Sequence, residues 1–265
     1  MKITLIQTNI QWGEAEQNRK EAERLMKEAE GSELYVLPEM WNTGFATNPE
    51  GMAEEEEEGE SLRWMRKMAR QTNAAVAGSM AVRCSDGTYR NRFYFVKPVE
   101  EHVEQTEELA DGQGTGIEFY DKHHLFSYGG EDLNYRAGKE RVVVEWRGVR
   151  FLLMVCYDLR FPVWSRNHED YDCILYVASW PTSRIRVWQS LLVARAIENQ
   201  CYVAGVNRVG NDPQCSYNGS TMMVDAYGRI TAQCLDNEQQ SVTTDIDLAA
   251  LEAFRRKFPV LKDRD

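Results

Sequence analysis

Three polar residues stand at or beside the ends of apolar, strand-like runs: Glu39 behind residues 34–38, Lys122 behind residues 117–121 and Cys156 behind residues 151–155. Strand ends in α/β sheets are where ligand sites are built. Taken alone, a cysteine after an apolar run is usually a small buried hydrophobe. The residues after Cys156 change that reading. Cys156-Tyr157-Asp158-Leu159-Arg160-Phe161-Pro162 turns abruptly polar, and Pro162 suits the first turn of a helix, so the thiol is expected at a strand-to-helix turn facing backbone N–H groups. Such dipoles, with Lys122 as a neighbouring cation, lower a thiol pKa and predict thiolate at neutral pH. Glu39 would take the thiol proton and pass it to a leaving amine, the general base and acid work of nucleophilic catalysis.

Other chemistries fit these residues less well. A papain-like pair needs a histidine well downstream of the cysteine, yet His102, His123 and His124 precede Cys156 and only His168 follows it. His123 and His124 are expected to tune or pack around Lys122. A class I glutamine amidotransferase elbow needs small residues beside its nucleophile, where Val155 and Tyr157 stand here. A metal-dependent amidase lacks its H-x-x-x-H ligands. The six cysteines lie far apart without a C-x-x-C pair, so spacing signals neither a zinc cage nor a redox dithiol.

The elements that position these residues follow from hydrophobic periodicity. Residues 2–9 alternate as a strand, and residues 14–30 place Ala15, Ala22, Leu25, Met26 and Ala29 on one helical stripe. A short buried strand at 34–37 stops at Pro38. The acidic run at Glu54 to Glu58 and Glu60 reads as a solvated turn. Ser61 suits the cap of a helix carrying Leu62, Met65, Met68 and Ala69. Strands at 75–82 and 89–97 form a hairpin around Asp86-Gly87. The glycine-rich stretch 111–116 lacks the Lys-Ser/Thr of a phosphate loop and reads as a plain loop. Strands are predicted at 141–146, 149–155, 173–178, 201–208, 221–225, 230–234 and 241–246, with helices at 184–200 and 247–257. Alternation of strands and helices without an internal linker predicts one α/β domain over residues 1–265.

Composition bounds the function. The chain has 265 residues, 43% hydrophobic and 28% charged, which is ordinary globular usage. A net charge of −11 repels phosphate backbones and anionic lipid surfaces, so neither nucleic acid nor membrane is an expected partner. No run approaches the roughly 18 apolar residues of a membrane span, and no signal-peptide pattern opens the chain; the expected location is cytoplasmic.

The segments Leu37-Pro38-Glu39-Met40 with Thr43-Gly44-Phe45, Tyr120-Asp121-Lys122-His123-His124-Leu125-Phe126 and Val155-Cys156-Tyr157-Asp158-Leu159-Arg160-Phe161-Pro162, in that order, resemble the nitrilase, or carbon–nitrogen hydrolase, superfamily. The likeness continues through residues 194–200 and 205–210. It implies a four-layer α-β-β-α sandwich, no metal, no organic cofactor, and Glu39, Lys122 and Cys156 as the catalytic set. It adds a second glutamate between the Lys and the Cys: Glu131 best matches that place, with Asp132 and Glu140 nearby. Residues 177–181 and 207–210 look most like the omega-amidase branch, which removes the terminal amide of short 2-oxo acids such as 2-oxoglutaramate. Ser179 departs from the Asn-Trp-Pro found in related proteins.

On this reading a thioester forms at Cys156 and water activated by Glu39 hydrolyses it. The Lys122 ammonium and the Tyr157 N–H are the candidate donors to the oxyanion. Trp180, Trp41 and Phe45 are candidate pocket walls, and Arg160, Arg184 and Arg186 candidate clamps for a substrate carboxylate. The expected partners are a small-molecule amide substrate and water, with a homodimer or higher homo-oligomer formed by helix packing. A nitrile hydrolase, an N-carbamoyl amino acid amidohydrolase and a non-catalytic scaffold using the helix at 184–200 are the alternatives.

Overall fold

The computed structural model describes residues 1–99 and 116–264; residues 111–115 of the glycine-rich stretch lie outside them. Two mixed sheets face one another. The first contains β1 (Lys2–Gln7), β2 (Leu34–Val36), β3 (Glu54–Glu55), β4 (Ala75–Arg83), β5 (Tyr89–Val96) and β6 (Ile117–Asp121). The second contains β7 (Val143–Trp146), β8 (Val149–Val155), β9 (Cys173–Ala178) and β10 (Tyr202–Asn207). A small separate hairpin follows, β11 (Val209–Asn211) with β12 (Ser216–Asn218), and then β13 (Met222–Val224) and β14 (Ile230–Gln233) complete the second sheet. The chain returns to the first sheet through β15 (Gln240–Asp245), antiparallel to β1.

Strand order is β15-β1-β2-β4-β5-β6 in one sheet, with β3 on β4, and β14-β13-β10-β9-β8-β7 in the other. The centre of each is parallel: β1, β2 and β4 in the first, β8, β9 and β10 in the second. Their C-terminal ends deliver polar residues, including Glu39 and Cys156, to one end of the sandwich.

Side-chain alternation builds the layers. Phe151, Leu153 and Val155 of β8 enter the core between the sheets, where Phe95 and Phe151 rings lie 5.8 Å apart. Leu152 and Met154 of the same strand face α4 (Ile185–Asn199), which buries Trp188, Leu192 and Ala196 at a four-residue spacing. Gly205 permits that close approach: a Cβ there would sit 2.3 Å from Leu192 Cδ1. On the outer face of the first sheet, α1 (Ala15–Glu28) and α2 (Glu60–Thr72) cover Ile6, Tyr35 and Val76. The order is α-β-β-α in four layers, as the family resemblance implies. A short α3 (Glu131–Asn134) and a final α5 (Leu248–Lys257) complete the α-helices among the described residues.

Several sequence expectations are corrected. The acidic run is not simply a solvated turn. Glu54 accepts hydrogen bonds from the Ser61 N–H at 2.7 Å and Oγ at 2.6 Å, and Glu56 pairs with Arg92 at 2.8 Å, while Glu55, Glu57, Glu58 and Glu60 are exposed. Ser61 does not cap α2, because Gly59 occupies the N-cap and Ser61 lies buried within the first turn, bound to Glu54. Pro162 does not open a helix; it follows a single 3-10 turn, Cys156–Arg160. Among the described residues no helix is long and apolar enough to cross a membrane.

Candidate active site

Cys156 begins the turn directly after β8, with φ at +46°. That left-handed backbone is strained for a residue with a Cβ, so its surroundings must fix it. Asp158, two residues on and fully buried, does so. Its carboxylate accepts the Val155 N–H at 3.0 Å, the Tyr120 hydroxyl at 2.8 Å, and the His124 N–H and Nδ1 at 2.9 and 2.8 Å. A carboxylate only accepts, which puts the imidazole proton on Nδ1. Tyr120 and His124 flank Lys122 in sequence, so this one side chain binds the cysteine turn to the lysine segment.

Glu39 follows β2 across Pro38 and is fully buried. Its Oε1 accepts Lys122 Nζ at 2.9 Å and Asn91 Nδ2 at 2.8 Å; its Oε2 accepts the Ser179 N–H at 2.9 Å. Lys122 follows β6, its N–H held by the Asn91 carbonyl at 3.0 Å. The same ammonium meets Glu131, at 2.8 Å from Oε2 and 3.1 Å from Oε1. Glu131 opens α3 and also accepts the Phe126 N–H at 2.6 Å and Asn91 Nδ2 at 3.0 Å. Asp132 and Glu140 are exposed, which leaves Glu131 as the second glutamate at the lysine.

The electrostatics follow from this packing. Burial alone would lower the Lys122 pKa, but Glu131 and Glu39 outweigh it and hold the ammonium above the ordinary lysine range. Burial and the nearby Glu39 charge push Glu131 up, against Lys122. Each of its partners is nevertheless a donor, so the geometry satisfies the ionised carboxylate. For Cys156, burial and then Glu39 push the thiol well above the usual cysteine value, with Lys122 opposing them. This direction runs against the thiolate that the sequence leads one to expect.

Glu39, Lys122 and Cys156 line one cleft, which encloses about 600 Å³ of empty space with its open mouth included. Phe45, Tyr157, Trp180, Arg160 and Arg184 also line it. The Phe45 ring lies 5.3 Å from Lys122 Nζ. Trp180 is held by Asn207, whose Oδ1 accepts its N–H at 2.8 Å and whose Nδ2 donates to its carbonyl at 3.0 Å. The Arg160 guanidinium lies 5.1 Å from the Trp180 ring and that of Arg184 lies 5.6 Å from Phe126. Among the described residues neither arginine is in an ion pair.

Trp41 and Arg186 are not brought to the cleft. Trp41 is buried against Trp64 of α2, with ring centroids 4.9 Å apart, and Arg186 is exposed on α4. His123 and His124 do not pack on the lysine ammonium. The first stacks on Trp164 at 3.7 Å and the second on Phe161 at 3.9 Å. Sequence reasoning missed Asn91 and the wall formed by Asp212, Gln214, Cys215 and Tyr217 around the β11–β12 hairpin. Asn91 interrupts a polar and aromatic strand with no local signal, and the hairpin wall carries only ordinary turn residues.

A family model described as carbon–nitrogen hydrolase matches residues 2–256. The chain is 43% identical to "Omega-amidase YafV" of Escherichia coli (strain K12), over 100% of this chain and 97% of the relative. It is 36% identical to "2-oxoglutaramate amidase" of Bacillus subtilis (strain 168), over 98% and 96%. Among solved structures, XC1258 from Xanthomonas campestris, a CN-hydrolase superfamily protein with an arsenic adduct in its active site, superposes with a TM-score of 0.90 at 38% identity, covering 100% of this chain and 97% of that one.

Proposed function

The chain belongs to the carbon–nitrogen hydrolase family, and we propose that it is a cysteine-dependent omega-amidase, folded as one domain over residues 1–265. Its substrate is the terminal amide of a short 2-oxo dicarboxylic acid monoamide, 2-oxoglutaramate or 2-oxosuccinamate, and ammonia is released through a thioester. The observation that carries this reading is the convergence of Glu39, Lys122 and Cys156 on a cleft that also holds Arg160 and Arg184, neither of them in an ion pair among the described residues. The names of the E. coli and B. subtilis relatives support the substrate class. A family-typical homodimer or higher homo-oligomer is part of the proposal.

The thiol is protonated at rest, so the first step needs a base. Glu39 takes the Cys156 proton as sulfur attacks the amide carbon, and the net charge of the cluster does not change. Negative charge then develops on the former carbonyl oxygen, where the Lys122 ammonium and the Tyr157 N–H stabilise it. Glu39 returns the proton to the amide nitrogen, the C–N bond breaks, and ammonia leaves an acyl-Cys156 thioester. Water then enters, gives a proton to Glu39 and attacks the acyl carbon; the C–S bond breaks and the proton returns to sulfur. Glu131 remains ionised and holds Lys122 in place. Arg160 and Arg184 bind the substrate carboxylate, and Phe45 and Trp180 wall off bulk water.

An ammonia-release screen over 2-oxoglutaramate, 2-oxosuccinamate, glutamine, a nitrile and an N-carbamoyl amino acid tests the reading. The two 2-oxo amides should lead in kcat/KM, and Cys156→Ala should abolish release from both. Preference for the nitrile or the carbamoyl compound would move the chain to another branch of the family. No turnover of any compound by folded protein would leave a scaffold.

A further inference from the structure

Asn91 touches the reaction through another residue. It lies on β5, is fully buried, and does not line the cleft. Its single Nδ2 donates to two carboxylates, Glu39 Oε1 at 2.8 Å and Glu131 Oε1 at 3.0 Å. Carboxylate oxygens only accept, so these partners fix which end of the amide faces them. The Oδ1 is left without a hydrogen-bond partner among the described residues. A structural asparagine ordinarily satisfies both ends. Asn42 and Asn218 also leave Oδ1 bare, so what sets Asn91 apart is that its Nδ2 donates to both members of the acidic pair.

The consequence falls on Glu39. Oε1 already receives two side-chain donors, Lys122 Nζ and Asn91 Nδ2, while Oε2 receives the Ser179 N–H. We infer that Asn91 is a positioning residue which locks Glu39 Oε1 and thereby presents Oε2 as the atom that takes the thiol proton. This rests on Glu39 being the general base. Lys122 alone cannot supply that lock, because one ammonium on a flexible stem is shared between both carboxylates. Asn91 sits on a strand and also holds the Lys122 N–H through its own carbonyl, so it fixes base and cation from one point.

The test compares Asn91→Leu and Asn91→Asp with Glu39→Gln, measuring kcat and KM for 2-oxosuccinamate, melting temperature and active-site content by thiol titration. Asn91→Leu takes a donor from two buried carboxylates, so some fall in melting temperature is expected, and kcat is compared per titrated site on the folded fraction. A positioned base contributes roughly 10²–10⁴-fold, and losing its alignment should lower kcat per titrated site by at least about tenfold. KM should change less than about twofold, since Asn91 does not meet substrate. Asn91→Asp keeps the size, lacks the amide donors, and should lose kcat in the same way. Retention of kcat within about threefold by either folded variant overturns the proposal. So does a rise in KM that accounts for the lost kcat/KM, or failure of both variants to fold, which makes the residue structural. If Glu39→Gln itself keeps wild-type kcat, the general-base reading fails first; if it is inactive while Asn91→Leu is not, only the present inference fails.

Discussion

Lys122 and Glu131 are nine residues apart in sequence, yet Nζ meets both oxygens of the carboxylate, at 2.8 and 3.1 Å, with both side chains fully buried. With Glu39 on its other side, this lysine neutralises charge on two buried carboxylates. Lys122→Ala should therefore do more than remove an oxyanion donor. Breaking a buried ion pair by removing one partner costs about 3–5 kcal/mol. Denaturant unfolding should register that loss alongside abolished ammonia release, and an unchanged unfolding midpoint would show that the cluster is solvated.

The thiol offers a second check. Because burial and Glu39 hold Cys156 protonated, thiolate accumulates only as pH rises beyond the ordinary cysteine value of 9.0. Alkylation of the free protein by iodoacetamide should keep accelerating through that range. A rate that levels off below about pH 7 would indicate a preformed thiolate and remove the need for a base.

Arg160 and Arg184 should separate charged from neutral substrates. Replacing either with alanine should raise KM for 2-oxosuccinamate by roughly tenfold or more, as expected for losing a charge-assisted contact worth about 1.5–3 kcal/mol. KM for a neutral amide such as propionamide should stay where it was. Equal losses on both compounds would assign the arginines to packing against Trp180 and Phe126.

Away from the cleft, Asp172 ties α5 to the second sheet. Burial works against its charge, but Arg150, at 2.8 Å, and Arg255, at 2.9 Å, hold the carboxyl below its ordinary value. A depressed carboxyl contributes stability above its unfolded pKa and loses that contribution as pH falls through the folded one. Arg255→Ala should thus narrow the stability difference between pH 7 and acid conditions. Parallel stability curves for the variant and the parent, followed by urea unfolding, would contradict this.

Much of the site is legible in the sequence, because chemistry at a strand end leaves a local trace. Glu39 and Cys156 each follow an apolar run, Lys122 follows the strand-like Ile117-Glu118-Phe119-Tyr120-Asp121, and the cleft gathers all three. The trace fails where the partner is remote. Asn91 looks like any polar residue in a strand until two distant glutamates are placed against it. Glu54 and Glu56 read as solvent-facing because a charge run says nothing about Ser61 or Arg92 waiting behind it. The thiol was misjudged for a related reason. Its cation is legible, whereas the burial and the closeness of Glu39 that outweigh that cation arise only in three dimensions.

Ser179 reaches Glu39 twice across the gap between the sheets, through its N–H at 2.9 Å and through its hydroxyl to the Glu39 carbonyl at 3.2 Å. Nucleophile and base are therefore carried by opposite halves of the sandwich. Shear of one half against the other would misalign the pair while leaving each sheet's own ladders intact. Under rising hydrostatic pressure or temperature, turnover should then fail ahead of the loss of secondary structure, making catalysis a sensitive gauge of how the two halves are seated.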